Sequence, residues 1–170
     1  MSQIVVGVAD CKWSTAPEDV LVTYALGSCI AVALYDPVSL VGGMLHFMLP
    51  DSGIDRQKAL ASPCMFADTG MRLLLDRIRE AGGERSRLSV RIAGGARVLE
   101  TNGLFHIGKR NYQALRKILW KTGLMIHAEE VGGTQTRTVA LELASGRCTW
   151  RSTNGLRGEL SLHQTTGGAK

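Results

Sequence analysis

Two apolar runs of strand length, joined by a short turn, are the feature that most constrains how this chain folds. The first run covers residues 29–35 and is ended by Asp36 and Pro37, and the second covers residues 41–49. Continuous apolar runs of this length, bounded by turn residues, are typical of buried strands. Because the connection is short, we expect the two runs to pair as antiparallel neighbours.

A cysteine and a histidine occupy this predicted strand pair. If the turn is centred on residues 37–39, Cys29 and His46 fall towards the same end of the two strands. A neighbouring imidazolium lowers the pKa of a thiol and supplies a proton to a leaving group, so the pair suits covalent catalysis. Gly27 and Ser28 allow a close backbone approach, and their N–H groups are candidate contacts for an oxyanion or a substrate. The spacing is equally compatible with two ordinary core residues.

Several strings in this chain resemble one protein family. They are LGSCIAVALYD and GGMLHFMLP around the two strands, FADT followed by MRLLL, then AGGA, and finally IGKRN. Together they span residues 4–150 in the order found in the CheD family, the chemoreceptor glutamine deamidases of bacterial and archaeal chemotaxis. Separate motifs in one order are far more specific than a single motif, so the resemblance favours a catalytic interpretation of the cysteine and the histidine.

The resemblance implies a site as well as a fold. It implies a catalytic triad of Cys29, His46 and Thr23, in which the threonine supports the histidine. A hydroxyl oxygen can accept the second imidazole N–H and so fix the tautomer and orientation of the ring. It also places Gly94 and Gly95 in a tightly packed turn near the site, where their N–H groups are further candidate oxyanion or substrate contacts. This chemistry needs no metal and no organic cofactor.

The expected reaction is hydrolysis of glutamine side-chain amides to glutamate, through a thioester. The restriction to glutamines in the cytoplasmic helices of chemoreceptors comes only from the resemblance, as does a second partner, a CheC-type phosphatase. Phe105, in a predicted surface loop over residues 100–106, and the basic residues Lys109 and Arg110 are candidate partner contacts.

Two other classes of function are compatible with the residues. The same dyad serves other cysteine hydrolases, such as peptidases and transglutaminase-like enzymes. A non-catalytic interaction protein could also keep the fold and bind signalling partners. The presence of Thr23, Cys29 and His46 together argues against the second class.

Composition limits the remaining choices. The 170 residues are 45% hydrophobic and 21% charged, which is typical of a globular domain. No apolar run reaches the length of a membrane span, and the first residues lack the pattern of a signal peptide, so we expect a cytoplasmic protein without membrane insertion. The net charge of +5 is spread along the chain with few aromatic residues, which disfavours nucleic-acid binding. The four scattered cysteines are expected to be free thiols.

Periodicity predicts the remaining elements and an α+β fold. We expect one layered domain over residues 1–152, with mixed or mostly antiparallel sheets and two main helices packed outside, as in other cysteine hydrolases. The helices are predicted at about residues 62–80 and 109–121, and a strand at residues 124–129. Residues 51–61 are predicted to be a loop, residues 137–151 a hairpin, and residues 153–170 a polar, poorly ordered tail.

Overall fold

The structure is a computed structural model and describes residues 2–97 and 106–162. Two five-stranded sheets pack face to face, and helices cover the far side of one of them. Sheet A contains, in spatial order, β1 (Ser2–Val5), β3 (Asp19–Leu26), β8 (Arg137–Glu142), β9 (Cys148–Ser152) and β10 (Arg157–Glu159). Sheet B contains, in spatial order, β2 (Asp10–Ser14), β5 (Val41–Phe47), β4 (Ile30–Asp36), β6 (Ser89–Gly94) and β7 (Ala128–Val131).

Strand pairing is mixed but mostly antiparallel, as predicted. Only the pairs β1 with β3 and β6 with β7 are parallel among the described strands. The two apolar runs pair as expected, with Asp36 opposite Val41 at the turn and Ala31 opposite His46 towards the other end. β4 also pairs with β6 and therefore lies in the centre of sheet B.

The two faces of β4 explain why its sequence is continuously apolar. All seven of its residues are buried, because one face meets the helices and the other meets sheet A. Alternate residues divide between the two faces. Ile30, Val32 and Leu34 pack in the helix-side core, whereas Ala31, Ala33 and Tyr35 pack against sheet A.

Two long helices, α2 (Ala67–Glu80) and α3 (Ile107–Thr122), cover the outer face of sheet B, and a short helix, α1 (Arg56–Ala61), precedes them. This confirms an α+β fold with two main helices outside. α3 ends where Gly123 adopts a left-handed conformation with φ of 74°, which favours glycine. No helix within residues 2–97 and 106–162 is long and apolar enough to cross a membrane.

Three boundaries differ from the predictions. α1 forms within the predicted loop 51–61, because the Asp55 side chain accepts a hydrogen bond from the Lys58 N–H and caps the helix. The helix predicted from residue 62 begins instead at Ala67, after a separate 3₁₀ turn at Pro63–Met65. The strand predicted over 124–129 begins only at Ala128, and Leu124 packs in the helix-side core before the strand starts.

The C-terminal segment also departs from expectation. β10 lies within the region predicted to be a poorly ordered tail, and it pairs antiparallel with β9 through Gly158 opposite Trp150. Sheet A therefore gains a fifth strand at its edge. Residues 163–170, and all of the predicted loop 100–106 except His106, lie outside the described residues.

Candidate active site

Three strands converge on the space between the two sheets at one end of the β4–β5 pair. His46 on β5 lies opposite Ala31 of β4, and Cys29 is two positions before Ala31, so the cysteine and histidine are diagonal neighbours on one face. That face meets sheet A, where Cys29 packs against the inter-sheet core. Thr23 enters from β3 of sheet A, beside a register shift between Thr23 and Leu26.

Thr23 and His46 are joined by a hydrogen bond whose direction can be derived. The Thr23 hydroxyl donates to the Val6 carbonyl at 2.7 Å, and its Oγ1 lies 2.8 Å from His46 Nδ1. A hydroxyl carries only one proton, so Oγ1 must accept from Nδ1–H. In the neutral ring, Nε2 is therefore unprotonated and available as a base.

His46 is fully buried, and only one of its two ring nitrogens has a hydrogen-bond partner among the described residues. Within the described part of the chain, its Nε2 has no hydrogen-bond partner, the Cys29 thiol included. Burial lowers the pKa of His46 to about 4. The chemistry of the ring is thus that of a neutral imidazole with one free lone pair.

Cys29 is partly exposed, and its partial burial changes the pKa of its thiol. Desolvation raises the pKa of the Cys29 thiol, opposed by the backbone N–H of Cys29 itself, which lies against the sulfur. The spacing of Cys29 and His46 predicted instead that a charged imidazolium lowers the pKa of the thiol. Because burial disfavours the charged form of both groups, the structure favours a neutral thiol and a neutral imidazole.

The backbone leading into β4 is fixed by an unbroken series of hydrogen bonds to its carbonyls. Each of the three successive carbonyl groups before and at the cysteine accepts a bond from a different donor. The bonds are Ala96 N–H to Gly27 O at 2.8 Å, Asn111 Nδ2 to Ser28 O at 3.1 Å, and Gly95 N–H to Cys29 O at 2.9 Å.

These bonds determine where the N–H groups point. In a planar trans peptide the N–H lies opposite the carbonyl of the same unit, so bonding the Gly27 and Ser28 carbonyls turns the N–H groups of Ser28 and Cys29 the other way. Among the described residues, neither N–H donates to a backbone carbonyl. Both N–H groups are therefore candidate donors to a developing negative charge.

The glycine that ends β6, Gly94, and the glycine after it, Gly95, pack against this backbone. A Cβ placed on Gly94 would lie 2.2 Å from the Cys29 carbonyl oxygen, so only glycine allows this approach. The Gly95 N–H is already bonded to that same oxygen and is not available to a substrate. Gly94 and Gly95 therefore support the cysteine backbone, and the Gly27 carbonyl accepts a bond from Ala96, whereas the Ser28 N–H bonds no backbone carbonyl among the described residues.

Two buried polar residues near Cys29 carry no role in the sequence interpretation. Asn111 lies on the buried face of α3, four residues before Leu115, so a polar residue within that apolar periodicity was the available signal. Arg137 donates to the carbonyls of Gly94 at 3.3 Å and Gly132 at 2.7 Å. No sequence signal separated Arg137 from other strand arginines.

Of the three predicted partner contacts, two lie on an exposed surface and one lies outside the described residues. Lys109 and Arg110 are exposed in the first turn of α3, next to the buried Asn111. Phe105 lies outside the described residues.

Comparison with known proteins identifies the family of the chain. The family model for CheD, described as CheD chemotactic sensory transduction, matches residues 48–152. The chain is 54% identical over 160 residues to the probable chemoreceptor glutamine deamidase CheD of Solibacter usitatus, covering 94% of each chain. A match of that extent includes the segment from Thr23 to His46.

More distant relatives give the same name. The chain is 44% identical over 160 residues to the probable chemoreceptor glutamine deamidase CheD 1 of Syntrophus aciditrophicus, covering 94% of this chain and all of that protein. It is 40% identical over 136 residues to the chemoreceptor glutamine deamidase CheD of Thermotoga maritima, covering 80% of this chain and 83% of that one.

Proposed function

The chain belongs to the CheD family, and we propose that it deamidates chemoreceptor glutamines through a thioester on Cys29, with His46 as acid and base and Thr23 as its support. The relatives' names make it a protein-glutamine glutaminase of chemotaxis. The observation that supports the proposed mechanism is the buried His46, whose Nδ1 is held by Thr23 while its Nε2 has no partner in the described residues.

The first half-reaction begins from the neutral pair. As the Cys29 sulfur attacks the carboxamide carbon of glutamine, its proton passes to Nε2 of His46. The imidazolium then gives that proton to the departing nitrogen, the carbon–nitrogen bond breaks, and ammonia leaves. Thr23 keeps Nδ1 protonated throughout, so that only Nε2 exchanges protons with the reacting groups.

The second half-reaction reverses these roles. Water attacks the thioester and gives a proton to Nε2 of His46, the carbon–sulfur bond breaks, and the proton returns to the Cys29 sulfur. The product is glutamate. In both halves the carbonyl oxygen becomes negative, and the N–H groups of Ser28 and Cys29 are the donors we assign to it.

The proposed substrate is a glutamine on a cytoplasmic helix of a chemoreceptor, and the protein would act in the cytoplasm. Chemoreceptor helices with acidic faces would approach a chain of net charge +5 by electrostatic attraction. A CheC-type phosphatase is the proposed second partner, with the exposed Lys109 and Arg110 as contacts. Charge reversal of both residues should weaken that complex.

Mass spectrometry of receptor cytoplasmic fragments incubated with the protein tests the reaction. Each deamidation replaces NH₂ with OH and adds about one dalton, without chain cleavage or cross-linking. We expect the gain with the unaltered protein and no gain with Cys29→Ala or His46→Leu, because each variant lacks a group that forms or breaks a bond.

Cys64→Ala is the matched control. Cys64 is buried in the helix-side core, on the opposite face of sheet B from His46, so its loss leaves the site intact. A mass gain that survives Cys29→Ala would contradict the nucleophile assignment. Fragments that are cleaved or cross-linked, rather than deamidated, would indicate another cysteine hydrolase.

A further inference from the structure

Asn111 is a fully buried polar side chain that joins the backbone beside both catalytic residues. Its Nδ2 donates to the carbonyl of Ser28 at 3.1 Å and to that of Met48 at 2.8 Å. Ser28 directly precedes Cys29, and Met48 follows His46 by two residues. One side chain from α3 thus ties together the two segments that hold the thiol and the imidazole.

The position of these bonds gives them a specific effect. The ladder between β4 and β5 ends with Ile30 opposite Phe47, so sheet hydrogen bonds do not extend to Ser28 or Met48. Asn111 bridges the two strands just beyond that point. It continues the coupling between them where the catalytic residues need a fixed separation.

The donor chemistry explains why an amide stands here. Two carbonyl oxygens on one side of the residue require a nitrogen with two N–H groups, which a carboxamide supplies and a carboxylate or an apolar side chain does not. The buried Oδ1 of Asn111 has no partner within the described residues.

We infer that Asn111 is a positioning residue for deamidation, acting through the peptide unit between Ser28 and Cys29. Holding the Ser28 carbonyl towards α3 turns the Cys29 N–H towards the sulfur and the oxyanion. The inference rests on the proposed function, because it assigns that N–H a part in the same reaction. It predicts that Asn111 affects the reactivity of Cys29 as well as the stability of the fold.

The test compares Asn111→Ala with Leu115→Ala, a fully buried residue one turn further along α3. For each variant we would measure kcat and KM for deamidation, and the rate and pH midpoint of Cys29 alkylation by iodoacetamide. Peptide mapping identifies the alkylated cysteine. All measurements are made at a temperature where unfolding curves show that both variants are folded.

We expect Asn111→Ala to lose about tenfold or more in kcat with little change in KM, because a preorganised oxyanion donor is displaced. Alkylation of Cys29 should slow, and its midpoint should move to higher pH. Asn111→Ser, which keeps one hydroxyl donor, should fall between Asn111→Ala and the unaltered protein. Leu115→Ala should lose stability but keep both kcat and the alkylation profile.

The alkylation readout separates this inference from the proposed function. If the unaltered protein deamidates no receptor fragment, the proposed function fails, yet the alkylation profile still decides the role of Asn111. Asn111→Ala that matches Leu115→Ala in kcat and in alkylation would overturn the inference. If Asn111→Ala does not fold, Asn111→Ser makes the same comparison.

Discussion

The β4–β5 pair buries a polar side chain at each end, Asp36 at the turn and His46 at the other end. The two differ in how completely they are hydrogen-bonded. At the turn end, the carboxylate of Asp36 is fully buried and fully paired. Arg87 donates to it from Nη2 at 2.8 Å and from Nε at 3.0 Å, and the N–H groups of Glu84 and Val38 donate at 2.9 Å. Burial alone would raise the pKa of Asp36, but these donors hold it well below its usual range.

At the other end, His46 is equally buried but has one ring nitrogen without a partner in the described residues. Asp10 of β2 lies opposite His46 in the sheet, but the group that bonds Nδ1 is the hydroxyl of Thr23. Burial is therefore unopposed and lowers the pKa of His46 to about 4. The neutral ring is held in place, with one lone pair that has no partner among the described residues.

The strand pair thus contains two kinds of buried polar group, one fully hydrogen-bonded and one only partly so. A group whose hydrogen-bonding capacity is filled contributes to stability, and removing one partner leaves the others unpaired. A group left half filled costs stability and is retained where it takes part in chemistry. Substitution at the two ends should accordingly affect different measurements.

The largest effect on stability is expected from Asp36→Asn. Removing the charge of the buried partner of an ion pair costs about 3–5 kcal/mol of the free energy of unfolding, and asparagine also replaces one acceptor oxygen with an NH₂ group that faces the donors of Arg87 and Glu84. The deamidation kcat of the folded protein should stay within about twofold, since Cys29 lies at the far end of β4. Denaturant unfolding and kcat measure the two quantities.

Glu84→Gln is the control for that substitution. The Glu84 carboxylate is exposed and pairs with Arg87 at 3.0 Å, so its loss should cost less than about 1 kcal/mol. If Asp36→Asn lowered kcat as strongly as it lowered stability, the two ends would not be independent.

Titration of stability should show the two ends in separate pH windows. The pKa of His46 is lowered from 6.5 in the unfolded chain to about 4, so the unfolded state binds a proton first as the pH falls. The free energy of unfolding should decrease between pH 6.5 and about 4, by on the order of 3 kcal/mol. Asp36, whose folded pKa is also lowered, contributes stability above pH 3.8 that is lost only below that value.

Two variants show which residue causes each pH-dependent loss of stability. His46→Leu should remove the decrease above pH 4 and leave the acid transition below pH 3.8, whereas Asp36→Asn should do the reverse. Because His46→Leu also removes a half-satisfied polar group from an apolar space, its stability at pH 7 should change by less than about 1.5 kcal/mol. A histidine window that persists in His46→Leu would place the titration elsewhere.

Much of this arrangement was predictable, and the reason lies in periodicity. The apolar runs predicted β4 and β5 and their pairing because both faces of these strands are covered. The motifs resembling the CheD family then selected Thr23, Cys29 and His46, of which spacing alone had indicated only the cysteine and the histidine. The structure shows Thr23 in hydrogen-bonding contact with His46.

What was not predictable depends on three-dimensional contacts between distant segments. Asn111 lies 83 residues from Ser28 and 63 from Met48, and its place within the apolar periodicity of α3 does not show which backbone groups it bonds. The protonation states of Cys29 and His46 follow from burial, which pairing alone does not reveal. The short helix α1 depends on a single cap at Asp55, within a segment otherwise rich in loop residues.

The sharpest test of the hydrogen bond at the His46 end is Thr23→Val. Valine has nearly the same shape, but it removes the donor to the Val6 carbonyl and the acceptor for Nδ1–H of His46. Two buried groups lose their partner, so stability should fall by about 1–3 kcal/mol. The ring loses its fixed tautomer, so kcat should fall by about 10- to 100-fold, far less than in Cys29→Ala.

Thr23→Ser separates these two consequences, because it restores the hydroxyl while removing a methyl group. It should recover most of the kcat, and ¹⁵N shifts of the His46 ring should show protonated Nδ1 in the unaltered protein and in Thr23→Ser but a mixture of tautomers in Thr23→Val. Full activity in Thr23→Val would mean that burial alone orients His46. The half-filled end would then need only a neutral imidazole, and the contrast with Asp36 would rest on charge rather than on hydrogen bonding.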